Sequence, residues 1–322
     1  MSIFFRNISH QIFLYILIFY VLISISNEGR KITLTVKGSG GKAKILYDNF
    51  YPRPSEIIVS GENKTLDDNN EIECNSSNTI VKLIWSSNLE DCSGMFRNVE
   101  SIISIDLSEF SYSGIEDMSM MFAYCTNLEY INFDNFDTSS CTDMNGLFAG
   151  DKNLLEVDLS SLDVSKVEDM SFMFYESNIM SINFNNFRTS SLITMVSMFQ
   201  ECDYLYSIDL SMFDTSKVET MNSIFYACLS LVSVDLSNFD NSVLTDMRMM
   251  FCFCYDLEFI NFNGFNTQNV QNMSSAFYEC ESLISVDFSS FETPDLIDIQ
   301  MLFAFCHSLR DIKFGRFNTY LI

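Results

Sequence analysis

Two hydrophobic patterns divide the chain. The first is a single apolar run, Ile12 to Ile25 (IFLYILIFYVLISI), preceded by the basic Arg6 and ending in the small–x–small triplet Ser24-Ile25-Ser26 before Asn27. Its 14 residues rise about 21 Å as a helix, short of a hydrocarbon core of about 30 Å. Residues 1–26 therefore read as an export signal peptide, with an uncleaved signal anchor as the other reading. The second pattern begins at Cys92 and returns every 26 residues. Phe stands at 96, 122, 148, 174, 199, 225, 251, 277 and 303, with one step of 25 after Phe174. Nine copies on one period mean a stacked repeat architecture.

Residues 195–220 (MVSMFQECDYLYSIDLSMFDTSKVET) show the pattern inside one copy, the fifth. Leu205-x-x-Ile208-x-Leu210-x-x-Phe213 has leucine-rich-repeat spacing, with Ile208 and Leu210 pointing inward from a short strand. Asp214-Thr215-Ser216 reads as a turn leading into a helix, with Thr as N-cap; the eighth copy has Thr293-Pro294 there, a cap followed by Pro at the first helical position. Glu219, like Glu168 and Glu116 in other copies, would sit in the first helical turn. Val218, Met221, Ile224, Phe225 and Cys228 then fit one helical face. The predicted fold is α/β: a leucine-rich-repeat-like solenoid, with a parallel sheet on one side and short helices on the other. Nine strands about 4.8 Å apart give a sheet roughly 40 Å long.

The chain then falls into residues 1–26 as signal peptide, 27–91 as a small β-rich N-terminal cap, and 92–322 as nine tandem repeats. In the cap, Ile32–Val36 alternates, Lys37-Gly-Ser-Gly-Gly41 turns, and Ala43–Tyr47 continues, which predicts a hairpin. Glu62 to Glu71 reads as an exposed acidic loop, and Ile80–Trp85 as a last strand. Lys37 to Lys42 lacks the spacing of a phosphate-binding loop. At the other end, Ile322 falls where another repeat would begin its helix. The expectation is an open end that packs on something, such as a second copy, or a fragment of a longer protein.

Charge narrows the function. Lys and Arg number 18 against 43 Asp and Glu, a net charge of −25, which argues against nucleic acid as a partner. Hydrophobic residues make up 48% of the chain and Phe alone 31 residues, enough for a large core. Only two His are present, His10 and His307, and no H-E-x-x-H, G-x-S-x-G or Cys–His arrangement occurs. No enzymatic activity, cofactor or metal is expected, and no membrane span remains after signal cleavage.

The repeat string M-F-x-x-C-x-x-L-x-x-I-D-L-S-x-F-D-T-S-x-V, from about Cys92 to Ile322, resembles the BspA-like leucine-rich repeat family of bacterial and protist surface proteins. The resemblance implies a secreted or cell-surface solenoid used for binding or adhesion, and implies no catalytic residues.

Three groups of residues are candidates for chemistry. Cys125, Cys202, Cys228, Cys254, Cys280 and Cys306 share one repeat position and read as a column of buried free thiols, although stacked neighbours fall within disulfide range. Cys74 and Cys92 flank the end of the cap and are predicted to form a disulfide. Asn63, Asn75 and Asn272 lie in glycosylation sequons. The outward strand column runs Asp106, Asn132, Asp158, Asn183, Asp209, Asp235, Asn261 and Asp287, then Lys313. It reads as a hydrated polar ladder, as an acidic concave groove for a basic surface, or as weak calcium ligation. The favoured function is recognition of a protein or glycan through that face. The alternative is a structural coat that self-associates through open solenoid ends.

Overall fold

The computed structural model describes residues 30–38 and 41–317. The expected signal peptide lies outside them. Six strands precede the repeats: β1 (Lys31–Lys37), β2 (Lys42–Lys44), β3 (Glu56–Val59), β4 (Glu62–Lys64), β5 (Glu71–Glu73) and β6 (Asn78–Ile84). Nine more follow, one per repeat: β7 (Ile102–Asp106), β8 (Tyr130–Asn132), β9 (Glu156–Asp158), β10 (Ser181–Asn183), β11 (Ser207–Ile208), β12 (Ser233–Asp235), β13 (Phe259–Asn261), β14 (Ser285–Glu292) and β15 (Asp311–Arg316).

The repeats wind into a β-solenoid, and no described residue is helical. The expected α/β architecture is thereby overturned. Residues 218–228, which fit a helical face, instead run as tight turns whose alternate N–H groups leave the segment. Met221, Ser223, Phe225 and Ala227 donate to the carbonyls of Asp246, Arg248, Met250 and Cys252 in the next coil, at 2.9, 3.0, 3.0 and 2.7 Å. A helix would spend those donors internally. Each coil also places two residues, four apart, in the left-handed region: Gly94 and Asn98 in the first, Ser223 and Ala227 in the sixth, Met249 and Phe253 in the seventh. A left-handed residue ends a right-handed helix at a cost of roughly 1 kcal/mol for a side chain other than Gly. The expected cap residue Thr215 lies buried and links coils, its hydroxyl donating to the Asp240 carbonyl at 3.1 Å.

Three features hold successive coils in register. Eight isolated parallel bridges connect nine rungs, Asp91, Asp117, Asp143, Asp169, Thr194, Thr220, Asp246, Asn272 and Asp298. Short parallel strands pair on another wall, as in Ser207↔Ser233↔Phe259. Between the walls, the nine period-setting Phe rings form one unbroken stack. Their centroids are 5.2 to 6.1 Å apart and their planes within 20° of parallel. The 25-residue step is absorbed between Phe174 and Phe199, whose rings still stack at 5.7 Å and 8°.

The N-terminal strands join this stack differently from the expected hairpin. β1 pairs antiparallel with β6 on one edge and with β7 on the other, while β2 pairs with β5. The resulting six-stranded sheet, β4-β3-β6-β1-β7-β8, runs from the cap into the first coils. Buried Trp85 locks the junction: its ring meets Phe50 and Phe110 edge-on, and its indole N–H donates to the Pro52 carbonyl at 2.8 Å. The expected Cys74–Cys92 disulfide is not formed; both thiols are free and buried. Cys74 follows β5 and lies against Gly38, whereas Cys92 lies at the first rung, where its N–H donates to the Asp117 carbonyl.

Truncating a central ring removes two stacking partners and opens a cavity. Phe225→Ala is expected to cost about 3–5 kcal/mol of unfolding free energy, measured by urea denaturation.

Candidate functional site

The outward strand residues form one column, carried by four successive runs of paired strands, and all eight sequence-predicted residues lie in it. Each does two jobs. First, its side-chain oxygen accepts the N–H two residues on, which fixes the turn leaving the strand: Ser108 to Asp106 at 3.0 Å, Ser160 to Asp158 at 2.9 Å, Ser211 to Asp209 at 2.9 Å, Ser237 to Asp235 at 2.9 Å and Ser289 to Asp287 at 2.9 Å. Asn132, Asn183 and Asn261 do the same for Asp134, Asn185 and Asn263. Second, each Asn amide donates back to the carboxylate of the coil before it: Asn132 to Asp106 at 3.1 Å, Asn183 to Asp158 at 3.0 Å and Asn261 to Asp235 at 3.0 Å. Lys313 closes the column on Asp287 at 3.0 Å. The interspersed amides thus relieve the like-charge repulsion of a stacked acid column.

These contacts favour the charged form. The carboxyls of Asp158 and Asp235 are held below the usual range by the Ser160 and Ser237 hydroxyls, and that of Asp209 by the Ser211 N–H. Asp287 is lowered to about 2, first by the Ser289 hydroxyl, then by the Ser289 N–H and Lys313. The ladder is therefore an anionic strip at neutral pH. Beside it lies a groove of about 480 Å³ lined by Tyr130, Asn132, Glu156, Asp158, Ser181 and Asn183. Tyr130 and Phe259, 59% and 55% exposed, stand at the strand register where neighbouring coils carry Ser104 and Ser233. Tyr206 is exposed next to Ser207. Sequence reasoning missed these aromatics, although bulky rings at outward positions of an alternating strand are the signal that marks them.

Of the sequon residues, Asn63 and Asn75 are exposed. Asn272 is a half-buried rung whose side-chain oxygen accepts from the Ser274 N–H and hydroxyl, at 2.9 and 2.7 Å.

The cysteine column has a structural explanation. Each of its thiols donates to the carbonyl of a stacked Phe in the coil before: Cys125 to Phe96 at 3.0 Å, Cys202 to Phe174 at 3.1 Å, Cys228 to Phe199 at 3.0 Å, Cys254 to Phe225 at 3.0 Å, Cys280 to Phe251 at 3.1 Å and Cys306 to Phe277 at 2.9 Å. Burial pushes the Cys202 thiol up to about 12 and raises those of Cys125, Cys228, Cys254 and Cys280 as well. All ten cysteines are free, and only Cys306 is less than fully buried. In the third coil the column holds Asp151 instead. It is fully buried, its Oδ1 accepts the Cys125 N–H at 2.8 Å, and its Oδ2 has no partner. Burial raises its carboxyl well above the usual range, against the opposing pull of that N–H.

The class defined by these features is a repeat-built β-solenoid with a polar, anionic strand face and a core of stacked Phe rings. A family model described as "Mycoplasma protein of unknown function, DUF285" matches residues 90–208 and again 195–314. The chain belongs to this DUF285 family. No curated protein and no solved structure matches it.

Two measurements check the column. Unfolded without reductant, the chain should titrate all ten thiols with a disulfide reagent, while in the native protein Cys306 reacts first. For Asp151 the folded-state pKa is raised, so its proton stabilises the fold below the unfolded value of about 3.9, and that stability is lost as pH rises toward the folded value. Asp151→Ser, which copies Ser177 of the next coil, should remove that loss. Urea midpoints of the parent should fall from pH 4.5 to 7 more than those of the variant.

Proposed function

We propose that the chain is a non-catalytic, secreted or cell-surface binding or adhesion protein of BspA-like type. It recognises a protein or glycan partner through the strand face. The observation that carries this reading is the ladder itself: a column of charged and amide side chains, pre-set by hydrogen bonds from the backbone and flanked by exposed Tyr130, Tyr206 and Phe259. Fixed polar groups beside aromatic rings lower the ordering cost of binding. The repeat architecture and membership of the DUF285 family support a binding role, and the apolar run 12–25 supports export. Oligosaccharides and basic protein surfaces both suit carboxylates and amides set next to rings.

The ladder geometry dictates which variant tests it. Lysine at Asp158, Asp209 or Asp235 would discard the turn acceptor together with the charge. Asparagine keeps the acceptor, as Asn132, Asn183 and Asn261 demonstrate in their own coils. Residues 27–322 are the bait for pull-down from surface extracts, with Asp158→Asn/Asp209→Asn/Asp235→Asn as control. A partner captured by the parent and weakened by the triple variant is the expected result. Equal capture removes the strand face from the reading, and recovery of the chain with only itself replaces it by self-association.

A further inference from the structure

The wall that carries the left-handed pairs holds a second surface, separate from the strand face. In the last four repeats, Tyr226, Phe253, Tyr278 and Phe305 form an edge-to-face ladder, with centroids 5.4 Å apart at each step and interplanar angles of 89°, 85° and 81°. Tyr255 and His307 extend it from Phe253 and Phe305, at 6.2 and 6.3 Å. Met249 and Met301 are exposed on the same wall.

These rings are not demanded by the coil. Phe253 and Phe305 occupy a left-handed position, with φ of 64° and 65°, where a bulky side chain is strained. The same position holds Asn98, Gly150, Glu176 and Ala227 in other coils, which close equally well. Nor are the rings core: Phe305 is 55% exposed and Phe253 only half-buried. Every coil is left-handed at this position, so the backbone sets the bend and the choice of a ring there, in contact with water, is independent of it.

The surroundings are anionic. Glu201 lies beside Tyr226, and Glu279 and Glu281 beside Tyr255, and none of the three is in an ion pair among the described residues. Tyr255 donates its hydroxyl to Glu279 at 3.3 Å, which leaves that carboxylate facing the rings. Aromatic faces beside unpaired carboxylates suit the guanidinium group, which stacks on the ring and binds the carboxylate through its planar fork. Lysine has the charge without the fork.

We propose that this aromatic–carboxylate ladder is a docking surface for an extended, arginine-rich segment of a partner protein. The site stands independently of the strand-face reading, since it uses a different wall and different residues.

The test is titration of the full chain with a fluorescent nona-arginine peptide at about 0.15 M salt, where nonspecific attraction to the net negative charge is largely screened. The deciding variant is Phe253→Asn/Phe305→Asn. It leaves the charge unchanged and places a left-handed-tolerant residue at both strained positions. Expected are an affinity about tenfold weaker than the parent's, a melting temperature no lower than the parent's, and weaker binding of nona-lysine than of nona-arginine by the parent. Glu279→Gln/Glu281→Gln should also weaken binding. Undiminished nona-arginine binding by the Asn variant would mean that overall charge alone captures the peptide, and the proposal falls. A clear drop in its melting temperature would make the rings structural and overturn it too. Salt-insensitive capture of neutral oligosaccharide, or concentration-dependent dimerisation lost in the same variant, would assign the surface to a glycan or to a second copy instead.

Discussion

Everything in this fold depends on backbone groups that cannot be satisfied within their own coil. Along the segment from Met221 to Ala227, every second N–H points to a carbonyl about one repeat ahead, and the same alternation recurs at each turn. A buried donor left unmade costs about 1–3 kcal/mol, so an isolated coil is not a stable object. It becomes one only when a neighbour of the same length arrives in the same register. That requirement keeps successive repeats close to one length and brings the Phe rings into a single stack. It also turns each Thr hydroxyl and Cys thiol at the corners into a link between coils. Stability is then a sum of nearest-neighbour terms along one axis.

The period, the inward strand residues and the Phe stripe were legible in the sequence because burial repeats with the chain's own spacing. The helices were not there to be read. Five apolar residues at Val218, Met221, Ile224, Phe225 and Cys228 mark an inward face for a helix and for a coil of successive tight turns alike. The residues that decide between them carry little signal: left-handed backbone falls on Gly94 and Gly146 in two coils, but on Phe172, Ser197, Met249 and others elsewhere. The cap failed for a different reason. Neighbouring β-rich segments around a Gly-rich turn suggest a hairpin, yet β1 found seven-residue β6, more than 40 residues away, as its register partner. For the candidate site, the column of Asp and Asn was visible as positions, while its second task, holding the Ser N–H of each following turn, needed coordinates.

The two polar devices of the coil answer one problem differently. On the strand face, carboxylates meet solvent and are stabilised as anions by hydroxyls and N–H groups. In the core, the same need to satisfy a carbonyl is met by thiols, which bring a donor without bringing a charge. Asp151 shows what happens when an acid takes a thiol's place: the group is sealed in with one oxygen unmatched. The strand-face acids thus sit where solvent and turn donors hold their charge, and Asp151 sits where neither does.

The coil that is one residue short carries a lesson for engineering. Between Phe174 and Phe199 the chain loses a residue at the corner near Ile179, yet the rings on either side remain parallel and the strand that follows, β10, still pairs with β9. Register in this architecture is therefore enforced at the rungs and strands, and the shortened bend still donates its Asn178 and Met180 N–H groups to the Asp151 and Leu155 carbonyls, at 3.3 and 2.7 Å, around buried Ile179. Such a bend is where the length of a coil can change by one residue, because its links to the coil before and the spacing of the neighbouring rings both survive the loss.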